Sequence, residues 1–188
     1  MTITCSYFLY CILKIIMYIN YNKIGKMKKI YLLIGYPGMG KSTLSNNQTL
    51  PVICYDKCIR NKERQQLKLN NYDYCLKLIN DSSENIILFD FTNTNLKRAF
   101  EKFKDFDLVL VIMNTSKEKW KKNLLKRNKK YDIETVLPNI DIFYNKFIKL
   151  KETISKTDYK KIYITDEFMD SILESKEKIN LEDITNVK

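Results

Sequence analysis

No histidine occurs in the 188 residues. That absence excludes a Ser-His-Asp triad, a Cys-His pair and any histidine-ligated metal site. A general base then has to be Asp, Glu, Lys, Tyr or Cys. Cysteine is present in a pattern that does not suit cross-linking: Cys5, Cys11, Cys54, Cys58 and Cys75 are an odd count with no C-x-x-C pair. Neither a disulfide framework nor a structural zinc is expected, and reduced thiols in a cytoplasmic protein are the default. The apolar run over residues 7–19 is interrupted by Lys14 and falls short of the ~20 residues that span a bilayer. It has no basic leader and no small-residue cleavage site, so a secretory signal is not expected. Lys23, Lys26, Lys28 and Lys29 follow it, as they would beside an interfacial helix. Three readings of residues 1–26 stay open. They are a membrane-associating helix, a helix packed on the domain, and an extension upstream of a start at Met27.

Negative charge is also scarce. Twenty-two acidic residues face 33 basic ones, a formal net charge of +11. The excess favours a polyanionic partner: a nucleic acid, a nucleotide or an anionic membrane surface. Abundant, solvated surface lysines explain it equally well. Composition is otherwise that of a soluble domain, with length for one core and no repeat or linker marking a second. We therefore divide the chain into residues 1–26 and a single domain over 27–188 with a polar tail.

Glycine is rare, and three of the four sit in Gly35-Tyr36-Pro37-Gly38-Met39-Gly40-Lys41-Ser42-Thr43. This stretch fits the phosphate-binding pattern G-x-x-x-x-G-K-[ST]. It follows the apolar run 30–34, a buried strand, and precedes a helix-compatible segment, which is the context the pattern requires. Glycines allow the tight turn that aims successive N–H groups at an anion. The helix start adds its positive dipole end. Lys41 can reach the β- and γ-phosphates, and Ser42 can enter a Mg²⁺ shell.

Further strands are expected at 52–55, 85–89, 108–112 and 161–165. Helices are expected at 41–48, through the polar region to residue 80, and at 96–103, 116–130 and 133–150. Residues 167–188 are mostly polar and read as a loose helix and tail. Strands alternating with helices predict an α/β fold, a parallel sheet of about five strands with helices on both faces. Ligands in such sheets bind beyond the carboxyl ends of the strands. Asp56 and Asp90 each follow a strand and so share that edge with the loop. Asp56 can accept a proton from an attacking hydroxyl, or it can cap a helix. Arg60, four residues on, can hold an acceptor phosphate or lie in solvent. Asp90 with Thr92 and Asn93 can orient an acceptor, support Mg²⁺ through water, or simply make a turn. The basic helix 116–130 can act as a lid. Arg127 is its one arginine and Lys130 the second choice for clamping phosphate. A solvated basic face over a Trp120/Leu124 seam is the other reading.

From the phosphate loop onward the residues resemble the phage-type polynucleotide 5′-hydroxyl kinases, with the P-loop NTPase fold. The resemblance covers roughly residues 27–150. Asp56 matches that family's general base, Asp90-Phe91-Thr92-Asn93-Thr94-Asn95-Leu96 is similar to its D-x-T-N stretch, and Lys126-Arg127-Asn128 to its lid. The arginine expected three residues after Asp56 is replaced by Ile59, with Arg60 one further. The second lid arginine falls on Tyr131, beside Lys130. The resemblance implies an ATP- and Mg²⁺-dependent kinase. It implies nucleotide contacts from Gly35, Pro37, Gly38, Met39, Gly40, Lys41, Ser42, Thr43, Arg127 and Lys130. Its acceptor is the 5′-hydroxyl of RNA or DNA. A small-molecule or nucleotide kinase is the nearest alternative. An NTPase switch without acceptor, recruited to a membrane through residues 7–19, is another. Asp105-Phe106-Asp107 has no strand before it, so no phosphatase site is expected.

Overall fold

Lys29–Ile34 (β1) is apolar from Ile30 onward, and Ile30 to Ile34 are all fully buried. A strand hidden on both faces belongs in the middle of a parallel sheet, and β1 is the middle strand. A computed structural model describes residues 27–175 and 177–185. Its sheet also contains Val52–Cys54 (β2), Ile86–Asp90 (β3), Asp107–Asn114 (β4) and Lys160–Thr165 (β5). The order is β2-β3-β1-β4-β5, and every pairing is parallel. The connection direction reverses around β1, which creates a crevice at the carboxyl edge. The expectations for residues 1–26, including membrane contact through 7–19, lie outside the described residues. Among those described, no helix is long and apolar enough to cross a membrane.

The helices are Lys41–Asn46 (α1), Tyr55–Ile59 (α2), Lys62–Gln66 (α3), Asn71–Asp81 (α4), Leu96–Lys102 (α5), Lys117–Arg127 (α6), Ile140–Ser155 (α7), Asp166–Ser175 (α8) and Leu181–Thr185 (α9). Asn61 and Asn70 cap α3 and α4 with their side chains, which divides the polar region into three short helices. The basic helix is shorter than expected. Ser116 caps it through the Lys119 N–H, and Asn128 in the left-handed region (φ 49°) stops it after Arg127. The helix expected over 133–150 is also interrupted. A π-helical turn, Asp132–Val136, and a 3₁₀ turn, Leu137–Asn139, precede α7. Pro138 lacks a donor N–H and cannot sit inside an α-helix.

The expected helix after β5 is present, but it is packed and not loose. Asp166–Ser175 (α8) and Leu181–Thr185 (α9) are helical, and Met169, Ile172 and Leu181 are buried. Between these helices, Ile179 bonds to both sides of Gln48. Its carbonyl accepts from Thr49 N (2.8 Å), and its N–H donates to the Asn47 carbonyl (2.9 Å). Lys29 and Glu182 add an ion pair at 3.5 Å. Sparse apolar residues in a charged background concealed this packing from composition.

Candidate functional site

The strand register delivers the site. Ile34 pairs with Ile112 and Cys54 with Asp90, so β1, β2 and β3 end on one edge. Beyond that edge lies a cavity of about 910 Å³. Its walls include the loop 37–43, Asp56, Asp90, Thr92, Arg127 and the inner side of α8.

The loop adopts the conformation its glycines permit. Gly38 and Gly40 have φ of +89° and +96°, and a Cβ on Gly38 would come within 2.7 Å of Leu124 Cδ2. Three successive carbonyls of the loop are tied outward. Trp120 Nε1 donates to Pro37 O (2.8 Å), Asn123 Nδ2 to Gly38 O (3.0 Å), and Thr115 Oγ1 to Met39 O (3.0 Å). Tyr36 stacks on Trp120 with centroids 5.8 Å apart. Lys41 Nζ donates to Gly35 O (2.9 Å) and Tyr36 O (3.1 Å). Burial lowers the Lys41 pKa to about 8, and the Arg127 charge adds to the shift while Asp90 and Asp56 oppose it. Lys41 therefore lies within electrostatic reach of two carboxylates and a guanidinium. Gly35 itself is buried behind the wall, its N–H donating to Thr92 O at 3.1 Å. Ser42 and Thr43 lie on the wall, with Ser42 exposed.

Asp56 is in the first turn of α2 and is not its cap, a position held by Cys54. It is exposed on the cavity wall, and no hydrogen bond or ion pair engages it among the described residues. Asp90 is buried at the end of β3. Burial raises its pKa, and the Lys41 charge works against that rise. Ser42, Asp56 and Asp90 offer the hard oxygen donors that suit Mg²⁺. No cluster of three or more metal-ligating side chains occurs among the described residues.

Several expected site residues lie elsewhere. Asn93 is 2% exposed and left-handed (φ 47°), with Nδ2 donating to Leu33 O (2.7 Å) and Oδ1 accepting from Tyr72 OH (3.1 Å). It ties the turn after β3 to β1 and is absent from the cavity wall. Arg60 caps the C-terminus of α2 and is exposed, off the cavity wall. Lys130 points to solvent, 3.9 Å from Glu134. The basic helix is a wall more than a lid. Besides Trp120 and Asn123 on the loop, Lys119 pairs with Asp170 (2.6 Å), and Asp166 Oδ2 accepts from Ser116 Oγ (2.6 Å). Its last turn carries Arg127, which lies on the cavity wall 3.3 Å from Asp132.

Sequence reasoning missed Asp132, Asp166, Met169 and Asp170, all on the wall. For the α8 residues the available signal was helical spacing of Met169, Ile172 and Leu173 after a strand.

No protein-family profile matches the sequence, and no curated protein matches it. Among solved structures, a deoxyadenosine kinase from M. mycoides, with products dCMP and dCDP bound, aligns with a TM-score of 0.51 at 13% identity. The alignment covers 85% of this chain and 100% of that one. A shikimate kinase from Acinetobacter baumannii in complex with shikimate aligns at 0.48 and 11% identity, covering 89% and 99%. A gluconokinase from Sinorhizobium meliloti 1021 aligns at 0.42 and 12%, covering 79% and 89%. The sheet order, the phosphate loop and the first of these alignments together show the α/β P-loop NTPase fold.

Proposed function

We propose that the chain is an ATP- and Mg²⁺-dependent phosphotransferase that moves the γ-phosphoryl group to a hydroxyl acceptor. The observation that carries this is one cavity holding Lys41, Arg127 and the unengaged carboxylate of Asp56. Phosphoryl transfer asks for that set: cations on the triphosphate oxygens and a base for the attacking hydroxyl. The loop amides and Lys41 bind the triphosphate, Arg127 meets the transferring group, and Asp56 accepts the acceptor proton. Ser42 and, through water, Asp90 are the residues to hold Mg²⁺, which supplies charge neutralisation between the β- and γ-phosphates.

The acceptor we favour is a small molecule of nucleoside type. The likeness to a deoxyadenosine kinase supports it. So does Phe91, an aromatic side chain on the cavity wall beside Asp90, with its ring 3.9 Å from that of Tyr55. Planar acceptors stack on such rings. The polynucleotide 5′-hydroxyl is the second reading. It rests on the motif resemblance and on Lys121, Lys122, Lys126 and Lys129, exposed residues that make no ion pair among those described. Transfer of γ-labelled phosphate to a panel of nucleosides, sugar acids and 5′-hydroxyl oligonucleotides separates the readings. Labelling of nucleosides is expected, and it is lost in Lys41→Ala. Labelling of oligonucleotides alone would move the assignment to the second reading. ATP hydrolysis indifferent to every acceptor would sink both and leave an NTPase.

A further inference from the structure

One buried carboxylate on the cavity wall has no role in the reaction as assigned. Asp132 is 1% exposed and opens the π-helical turn Asp132–Val136. Its Oδ2 is buried and accepts no hydrogen bond among the described residues. The group that faces this oxygen is Arg127 Nε, at 3.3 Å. A carboxylate removed from water without hydrogen bonds is expensive to keep, and an apolar or neutral residue is normally the more stable choice. Two unusual local conformations bring the pair together. Asn128 in the left-handed region ends α6, and the π-helical turn begins at Asp132 itself. Turns of that kind concentrate at functional positions.

The direction of approach is informative. Nε is at the root of the guanidinium fork, so a contact there leaves the outer amino groups for a second anion. Arg127 lies close enough for its charge to act on Lys41. The second anion is then the one that Lys41 binds.

We propose that Asp132 is the positioning residue for Arg127, holding the guanidinium through Nε so that its free amino groups meet the transferring phosphoryl group. The proposal rests on the phosphotransferase reading above. A latch that kept Arg127 away from phosphate would have the opposite sign, with activity rising when Asp132 is neutralised.

The test is a double-mutant cycle on the full-length protein with Asp132→Asn and Arg127→Ala. Asp132→Asn keeps the shape and removes the charge. We expect kcat to fall about tenfold in the wild-type background and less than about twofold in the Arg127→Ala background. The melting temperature is expected to hold or rise, because a neutral amide costs less to bury than the carboxylate, and the Arg127 side chain, 33% exposed, keeps water around its charge. An unchanged or raised kcat, or an equal loss in both backgrounds, overturns the proposal. A merely structural Asp132 would lower the melting temperature and cost the same in both. Should Asp132→Asn not fold, Arg127→Lys decides the question. A single ammonium cannot serve Asp132 and phosphate at once, so its loss should match that of Arg127→Ala, and wild-type kcat in Arg127→Lys overturns the proposal. If the wild-type protein labels no acceptor, the phosphotransferase reading has failed. The same cycle is then read on ATP affinity, which keeps the two failures distinct.

Discussion

The two sides of the cavity are built differently. On the phosphate side, Pro37, Gly38 and Met39 each have the carbonyl bonded to a side chain from another element, and α6 is fastened to α8 through Lys119–Asp170 and Ser116–Asp166. On the acceptor side, Asp56 sits without a partner on a five-residue helix that follows a three-residue edge strand. In the proposed reaction the triphosphate is the same in every turnover, so the groups that would meet it gain from being fixed in advance. The acceptor's proton would be taken by a group that is free until the acceptor arrives. On that reading, a rigid donor side and an open acceptor side are two answers to two chemical demands.

The comparison can be broken at its strongest point first. Asp56→Asn should lower kcat by ~10²–10⁴-fold, the usual contribution of a general base, without moving the melting temperature. A variant with full rate would show that the base lies elsewhere. The fixed wall is tested next by Gly38→Ala. The added Cβ meets Leu124 Cδ2 at 2.7 Å on a backbone with φ +89°. We expect about 2–3 kcal/mol of destabilisation in thermal or urea unfolding, together with weakened nucleotide binding. Unchanged stability would mean that the wall yields.

A third test uses pH. Lys41 titrates near 8 in the free protein against an ordinary 10.5. Between those values the unfolded chain binds a proton that the folded one lacks, so folding stability rises with pH over that window. Nucleotide affinity moves the other way, because the triphosphate needs the charged lysine. Calorimetric titrations above pH 8 should show ATP affinity falling by up to about tenfold per pH unit. A flat profile to pH 9 would contradict the lowered pKa. The smallest effect belongs to Arg60→Ala. Exposed and off the wall, it should change stability by less than about 0.5 kcal/mol and leave kcat/KM unaltered. A large loss of activity would mean that the acceptor extends beyond the cavity along α2.

The same two sides differ in how well the sequence announces them. The phosphate loop was legible because its function is written in contiguous residues, with glycine where φ is positive and lysine where the helix begins. Asp56 and Asp90 were legible because parallel strands end on a common edge. Asn93 reads either way in the sequence, since the same amide that suits a substrate also suits a left-handed turn, and the bonds to Leu33 and Tyr72 favour the turn. The helical spacing of α8 was legible, but its place on the cavity wall and the role of Asp132 were not, because both depend on contacts with α6 that no spacing rule encodes. Pro138 was the visible signal for the break before α7.

The bonds between Ile179 and residues 47 and 49 have a consequence for how the protein is made. Synthesis delivers the phosphate loop well before the segment that braces the connection from α1 to β2. Until residue 179 has cleared the ribosome, that connection lacks its neighbour and β2 remains a loosely held edge. Assembly of the candidate site is thus tied to synthesis through residue 179, and a stop before it would leave the motif intact in a chain whose connection from α1 to β2 lacks its brace.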